Sequence, residues 1–169
     1  MTLIDAIRVL LFPSLMAFAA SSDLLTMTIS NRISLALIGG FVLLAVASGM
    51  GAADIGMHAL AGAVVLVLTF LCYWRGWVGG GDAKLAAATA LWFGFDHLYD
   101  YLLWASLLGG VLTLAIIRFR QLPLPKALSR HAWIARLHDQ EEGVPYGIAL
   151  AAAALMVYPK TPWMPGFGL

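Results

Sequence analysis

The chain has 169 residues, of which 62% are hydrophobic and only 11% are charged, and its mean hydropathy is +0.88. Soluble domains carry about one quarter charged residues, so this composition predicts an integral membrane protein. The net charge of +1 argues neither for nor against binding of nucleic acid. No cluster of Lys and Arg residues resembles a nucleic-acid-binding surface, so we expect no such partner. The single Cys72 excludes an internal disulfide, and the four histidines lack ligand spacing, so we expect no metal and no cofactor.

Six apolar stretches are candidates for membrane spans, which need about 20 residues each. They are Leu3–Ser21, Ile33–Gly49, Ile55–Trp74, Ala83–Phe95, Tyr101–Ile117 and Val144–Tyr158. The fourth and sixth are short for a bilayer. The first stretch could instead be a cleavable export signal, but Asp5 before Arg8 is the wrong flank, and we favour a retained span. The sequence therefore predicts an all-α bundle of about six transmembrane helices, forming one domain over residues 1–169.

The basic residues concentrate in alternate loops. Loops at about residues 22–32, 75–82 and 118–143, counted with Lys84, hold eight of the ten Lys and Arg residues. Only Arg8 and Lys160 fall on the other side, where the expected linkers are residues 50–54 and 94–100. The positive-inside rule therefore predicts that these three loops face the cytoplasm and that both termini lie outside.

The longest loop contains a basic amphipathic stretch, Lys126–His138, which follows Pro125. This pattern predicts a short helix lying in the membrane interface. Three acids come next: Asp139, Glu141 and Glu142. They belong either to a solvated loop beside anionic lipid or to a surface that receives a basic peptide, and the sequence favours the first.

The hexapeptide Gly79–Lys84 places a carboxylate and an ammonium group between two apolar stretches. An Asp or Lys at the centre of a membrane helix costs roughly 2.5–3.5 kcal/mol, so such groups usually face a polar cavity and act there. Glycine permits unusual φ values and close backbone approach, and lets a membrane helix unwind beside a cavity. A simple helix cap would explain Asp82, but neither the three glycines nor Lys84. Lys84 either orients the carboxylate or extends to the headgroups, and the sequence leaves both open.

A second acid, Asp23, ends the first apolar stretch and falls on the same predicted face as Asp82. Alone it would be an ordinary residue of the membrane boundary. Two adjacent carboxylates, however, can share one proton, so that the ionised group activates water while the protonated group donates to a peptide carbonyl. The pair therefore suggests an intramembrane aspartyl protease with Asp23 and Asp82 as catalytic residues. The sequence does not assign base and acid individually.

Three segments together resemble the type IV prepilin peptidases, aspartic proteases of the Gly-x-Gly-Asp class. Gly79–Lys84 matches the family's Gly-x-Gly-Asp-x-Lys in full. Asp23, with Ile29 and Asn31 downstream, resembles the first catalytic aspartate and its Ile-Pro-Asn, with Ser30 in place of proline. The stretch 145–149 matches Pro-Tyr-Gly-x-Ala, although alone it would be an ordinary helix start with an interfacial tyrosine.

This resemblance implies an endopeptidase of the bacterial inner membrane that removes a short basic leader from prepilins or pseudopilins on the cytoplasmic side. The implied partners are these precursors, membrane lipid and the pilus or secretion machinery. Longer members carry a cytoplasmic insertion with Cys-x-x-Cys motifs, linked to N-methylation. This chain resembles the short form of Flp/Tad-type pili, so no methyltransferase activity is expected. The implied supporting or substrate-binding residues are Gly79, Gly81, Lys84, Asn31, Pro145, Tyr146 and Gly147.

Two other functions stay open. A small transporter or channel would use Asp23, Asp82 and Lys84 as a polar pathway. Against it stand the lack of an internal repeat in the sequence and the placement of both acids at one face. A purely structural subunit of a secretion machine would have no need of either aspartate.

Overall fold

The computed structural model describes residues 3–164, and every regular element in that range is a helix. In chain order these are α1 (Leu3–Thr26), α2 (Asn31–Ala47), α3 (Ala52–Trp74), α4 (Gly80–Gln121), α5 (Ala132–His138) and α6 (Tyr146–Val157), followed by a 3₁₀ turn (Tyr158–Lys160). By length and composition, α1 from Ile4, α3 and α4 can each cross a membrane, whereas α2 and the last helix are apolar but shorter. The prediction of an all-helical, membrane-type chain is confirmed.

Helix α4 consists of two helices joined at one residue, Gly94, which has φ 58° and ψ −169°. Only glycine adopts this backbone readily, and a Cβ there would lie 3.0 Å from the ring of His58. His58 Nδ1 donates to the Leu91 carbonyl at 2.8 Å, satisfying an acceptor close to the break. We call the two halves α4a (residues 80–93) and α4b (residues 95–121). At 1.5 Å per residue α4a is about 21 Å long, shorter than a hydrocarbon core of about 30 Å.

Several predicted linkers are wrong in their bounds, and two of these differences bear on the position of the acids and of the cavity wall. The linker expected at residues 94–100 is a single non-helical residue, because Gly94 alone redirects the chain and Phe95 onward is helical. The loop expected from residue 22 begins later, since α1 continues to Thr26. Asp23 therefore lies within the last turn of a helix.

Two further local predictions also need correction. Gly80 and Gly81 begin α4 instead of unwinding it, with Gly79 as the N-cap. The interfacial helix is Ala132–His138, shorter than predicted, because the Pro125 carbonyl instead accepts hydrogen bonds from the N–H groups of residues 128 and 129 in a preceding turn.

An aromatic cluster forms the core at the end of the bundle away from the aspartates. The Phe12 ring stacks on Tyr158, with centroids 4.4 Å apart, and lies 5.0 Å from the Trp92 ring. Trp92 Nε1 donates to the Leu37 carbonyl at 3.0 Å, and Trp163 Nε1 donates to the Trp92 carbonyl at 2.8 Å. These contacts join α1, α2, α4a and the segment after α6. They fix the helices relative to one another at a level that is about 15 Å from the two acids, measured along the helix axes.

Candidate active site

Asp23 and Asp82 line one cavity of about 820 Å³. The cavity lies where the C-terminal end of α1 meets the N-terminal ends of α4a and α6, and α4b forms a further wall. Its volume is within the range of about 300–1,000 Å³ that is usual for ligand sites. Within residues 3–164, no group of three or more His, Cys, Asp or Glu side chains is arranged to hold a metal ion.

Asp23 is held by the start of the last helix. Its side chain is 5% exposed, and Oδ2 accepts a hydrogen bond from the Gly147 N–H at 2.8 Å. Gly147 is in the first turn of α6, where N–H groups have no partner within the helix and where the helix dipole favours negative charge. A Cβ on Gly147 would lie 2.8 Å from Asp23 Oδ2, so glycine is needed for this approach.

Asp82 is held by its own helix. It is the third residue of α4a, and its carboxylate accepts a hydrogen bond from the N–H of the N-cap residue Gly79. This is the reciprocal half of a capping box, in which a third-position acid reaches back to the cap. Asp82 Oδ1 is buried and has no hydrogen-bond partner among the described residues. The charges of Asp82 and Asp23 are close enough to interact.

Ile29 is the point at which the three sequence segments meet. A Cβ on Gly81 would lie 3.2 Å from Ile29 Cβ, and one on Gly147 would lie 2.6 Å from Ile29 Cδ1. The turn after α1 therefore packs against the starts of both α4a and α6. None of the three glycines at 79–81 has a positive φ, so their role is close approach and not an unusual backbone conformation.

Lys84 lies outside the cavity that holds the acids. Its Nζ donates to Asn31 Oδ1 at 2.9 Å, which joins the first turns of α2 and α4a. At 100° per residue, Lys84 is on the face of α4a opposite Asp82 and Ala86. It lines a separate groove, together with Asn31.

Pro145 and Tyr146 seat α6 against α4b. Pro145 is buried at the N-cap of α6, and both residues line the cavity. The Tyr146 hydroxyl donates to the Ala105 carbonyl at 3.2 Å. Its ring fills the space over Gly109, where a Cβ would overlap the phenol. Gly109 thus makes room for the tyrosine.

The acidic loop contributes one residue to the cavity, Glu142. Asp139 does not line the cavity, and its Oδ1 accepts a hydrogen bond from the Glu141 N–H at 3.0 Å. Arg120 Nη2 donates to the carbonyls of Glu142 and Gly143 at 3.0 and 2.8 Å, which fixes this loop beside the cavity. If this loop binds a basic peptide at the cavity, Glu142 is therefore the acid in a position to contact it.

Sequence reasoning missed several residues that line the cavity. Ser106 and Thr113 are seven residues apart and so share one face of α4b. In the sequence, this spacing of two hydroxyl side chains within an apolar stretch could have indicated a polar face on the helix. Trp77 also lines the cavity, from a loop in which Gly76 has a φ of 75°. An aromatic residue two positions before the glycine run was a second signal in the sequence.

The profile of the type IV leader peptidase family matches residues 10–114, which is more than half of the chain and includes both aspartates. The chain belongs to the type IV leader peptidase family. The resemblance stated from the sequence is confirmed, and with it a peptidase activity at the level of the family. The match ends before Pro145, so the start of α6 is outside it. Comparisons with curated proteins and with solved structures gave no match.

Proposed function

We propose that this leader peptidase is an intramembrane aspartic endopeptidase in which Asp23 and Asp82 are the catalytic pair. Its proposed substrates are type IV prepilins or pseudopilins with a short basic leader. The observation that carries the proposal is the shared cavity: two carboxylates far apart in sequence line it and interact electrostatically. Family membership favours a peptidase over a transporter or channel.

The geometry supports hydrolysis by a carboxylate pair that holds one proton. The ionised carboxylate removes a proton from water as the water attacks the peptide carbonyl, and the protonated one donates to the carbonyl oxygen. Asp82 Oδ1 is buried and has no hydrogen-bond partner among residues 3–164, so its capacity to accept a hydrogen bond is unused in the resting structure. The two carboxyl groups share this proton, so the roles of base and acid are not assigned to individual aspartates.

The shape of the cavity supports a peptide substrate. Its lining runs along α4b from Leu102 through Ser106 to Thr113, which is about 16 Å at the rise of a helix. The aspartates lie where this wall meets the starts of α4a and α6. We infer that the boundary between leader and apolar helix lies at the acids, with part of the substrate helix along α4b.

The proposed topology has six spans, namely α1, α2, α3, α4a, α4b and α6, with the acids toward the cytoplasm of the bacterial inner membrane. The loops at the acid end carry most of the Lys and Arg residues, which supports this orientation. Cysteine substitution tests it: Ser129→Cys should react with an impermeant thiol reagent only from the cytoplasmic side, and Gly51→Cys only from outside. We also propose that the enzyme lacks methyltransferase activity.

The test of the catalytic pair is leader removal by detergent-purified enzyme acting on a prepilin precursor. Asp23→Asn and Asp82→Asn should each lower the rate by at least about 10²–10⁴-fold, the usual contribution of an acid or base. Asp54→Asn is a matched control, because Asp54 is also the third residue of its helix after a glycine N-cap but is exposed. If either test variant cleaves at the normal rate while inserted in the membrane, the assignment is wrong.

A further inference from the structure

A second cavity, which we call the α2–α3 groove, lies on another side of the bundle. It has a volume of about 550 Å³ and opens between α2 and α3, with α4a as its floor. Small or apolar side chains make up most of its walls: Ser34, Leu35, Ile38, Ala59, Gly62, Ala63, Leu66, Ala87, Ala88 and Leu91. It runs about 10 Å along the helices, from Lys84 to Leu91. Leu35 and Leu66, on its two rims, are 65% and 45% exposed, so the groove opens toward lipid.

Helix α4a separates this groove from the aspartates. The two cavities have no lining residue in common. Lys84, Ala88 and Leu91 project from one face of α4a, while Asp82 and Ala86 project from the opposite face. A molecule in the groove would have to cross a packed helix to reach the acids, so the groove is not an extension of the proposed peptidase site.

One end of the groove is positively charged. Lys84 is exposed, and its Nζ donates to the neutral Asn31. None of the residues that line the groove is acidic. The N-terminus of α2, a 17-residue helix, also lies at this end and adds the positive end of its dipole, and exposed Arg32 follows in the same turn.

We propose that the α2–α3 groove binds an anionic phospholipid, with one acyl chain between the helices and the phosphate at Lys84. A cation at the mouth of an apolar groove complements a molecule with an anionic head and an apolar tail. Basic pockets between membrane helices bind anionic headgroups in this way. A lipid tail is apolar wherever it sits, so the tail adds little selectivity, and the headgroup charge decides which lipid is held. One cation near the surface gives about a five-fold preference for an anionic lipid.

The test uses the full chain in vesicles of phosphatidylcholine with spin-labelled phosphatidylglycerol or spin-labelled phosphatidylcholine. Electron spin resonance gives the relative association constant of each immobilised lipid. The unaltered protein should prefer phosphatidylglycerol, and Lys84→Gln should reduce that preference about five-fold. Ala63→Leu, which fills the exposed middle of the groove, should lower the number of immobilised lipids.

Matched controls decide whether the effect belongs to the groove. Lys126→Gln removes an exposed cation from the last loop, and Ala115→Leu enlarges an exposed residue of α4b outside both cavities. Ala115→Leu should leave the number of immobilised lipids unchanged, and Lys126→Gln should lower the preference for phosphatidylglycerol less than Lys84→Gln does. The proposal is overturned if Lys126→Gln lowers the preference as much as Lys84→Gln, or if Ala63→Leu changes nothing.

The main competing occupant is the apolar helix of the substrate. A photo-crosslinking residue at position 63 should capture phosphatidylglycerol in vesicles, whether or not a prepilin precursor is present. Capture of the precursor in place of lipid would overturn the proposal. Because Lys84→Gln retains a group that can hydrogen-bond Asn31, loss of folding is not expected to obscure the result.

Discussion

The two aspartates lie in one cavity but are held in different ways. Asp82 accepts a hydrogen bond from Gly79, three residues earlier, at the start of its own helix. Asp23 accepts its hydrogen bond from Gly147, 124 residues later in the chain. The first position is determined by local helix capping, whereas the second exists only after α6 has packed. The position of Asp23 in the site therefore depends on the contact between α1 and α6.

The largest expected effect tests whether the two carboxylates act as one unit despite this difference. The double variant Asp23→Asn/Asp82→Asn should be no slower than the worse single variant, because residues that act together have non-additive effects on rate. The rate of leader removal measures this. If the losses of the single variants multiply in the double variant, the two acids act independently and the shared proton is ruled out.

The second prediction compares the two glycine donors. In both Gly147→Ala and Gly79→Ala the new Cβ would lie 2.8 Å from an aspartate oxygen. Gly147 is buried and Gly79 is exposed, so the backbone can shift to relieve the close contact at Gly79 but not at Gly147. Gly147→Ala should lower the cleavage rate by about 10²-fold, the effect of a misplacement of about 1 Å, and Gly79→Ala by less. A greater loss for Gly79→Ala would reverse the comparison.

The third prediction concerns the seat of α6. Tyr146→Phe removes the hydrogen bond to the Ala105 carbonyl but keeps the ring over Gly109. It should lower the free energy of unfolding by about 0.5–1.5 kcal/mol, measured by thermal denaturation in detergent. Gly109→Ala, which displaces the ring itself, should cost more. Equal losses in the two variants would mean that the ring does not position α6.

The smallest effect is expected at the acidic loop. Glu142→Gln should raise the KM for a precursor with a basic leader about two- to five-fold with little change in kcat, because exposed ion pairs contribute about 0.2–1 kcal/mol. Glu141→Gln is the control, since Glu141 does not line the cavity. The effect should vanish for a precursor whose leader cations are replaced by glutamine. A similar KM change in both variants would exclude a specific role for Glu142.

The same contrast between local and distant contacts explains what the sequence could predict. The apolar stretches and the position of Asp82 near a helix start follow from composition and from a local pattern of glycine and acid. The bond between Asp23 and Gly147 depends on tertiary packing, and Pro145–Gly147 was assigned only through a family resemblance. The linker at Gly94 was predicted incorrectly, because a glycine with a positive φ that breaks a helix looks the same in sequence as one within a helix or a loop.

The break at Gly94 has a geometric consequence for the catalytic cavity. The segment before it carries Asp82, and the segment after it supplies the wall from Leu102 to Thr113. Because Gly94 is the single residue that joins α4a and α4b, its φ and ψ angles set the angle between the segment that carries Asp82 and the segment that forms the cavity wall. The backbone at Gly94, at the far end of the bundle, therefore contributes to the width of the cavity, and the nearby His58 ring leaves no room there for a side chain.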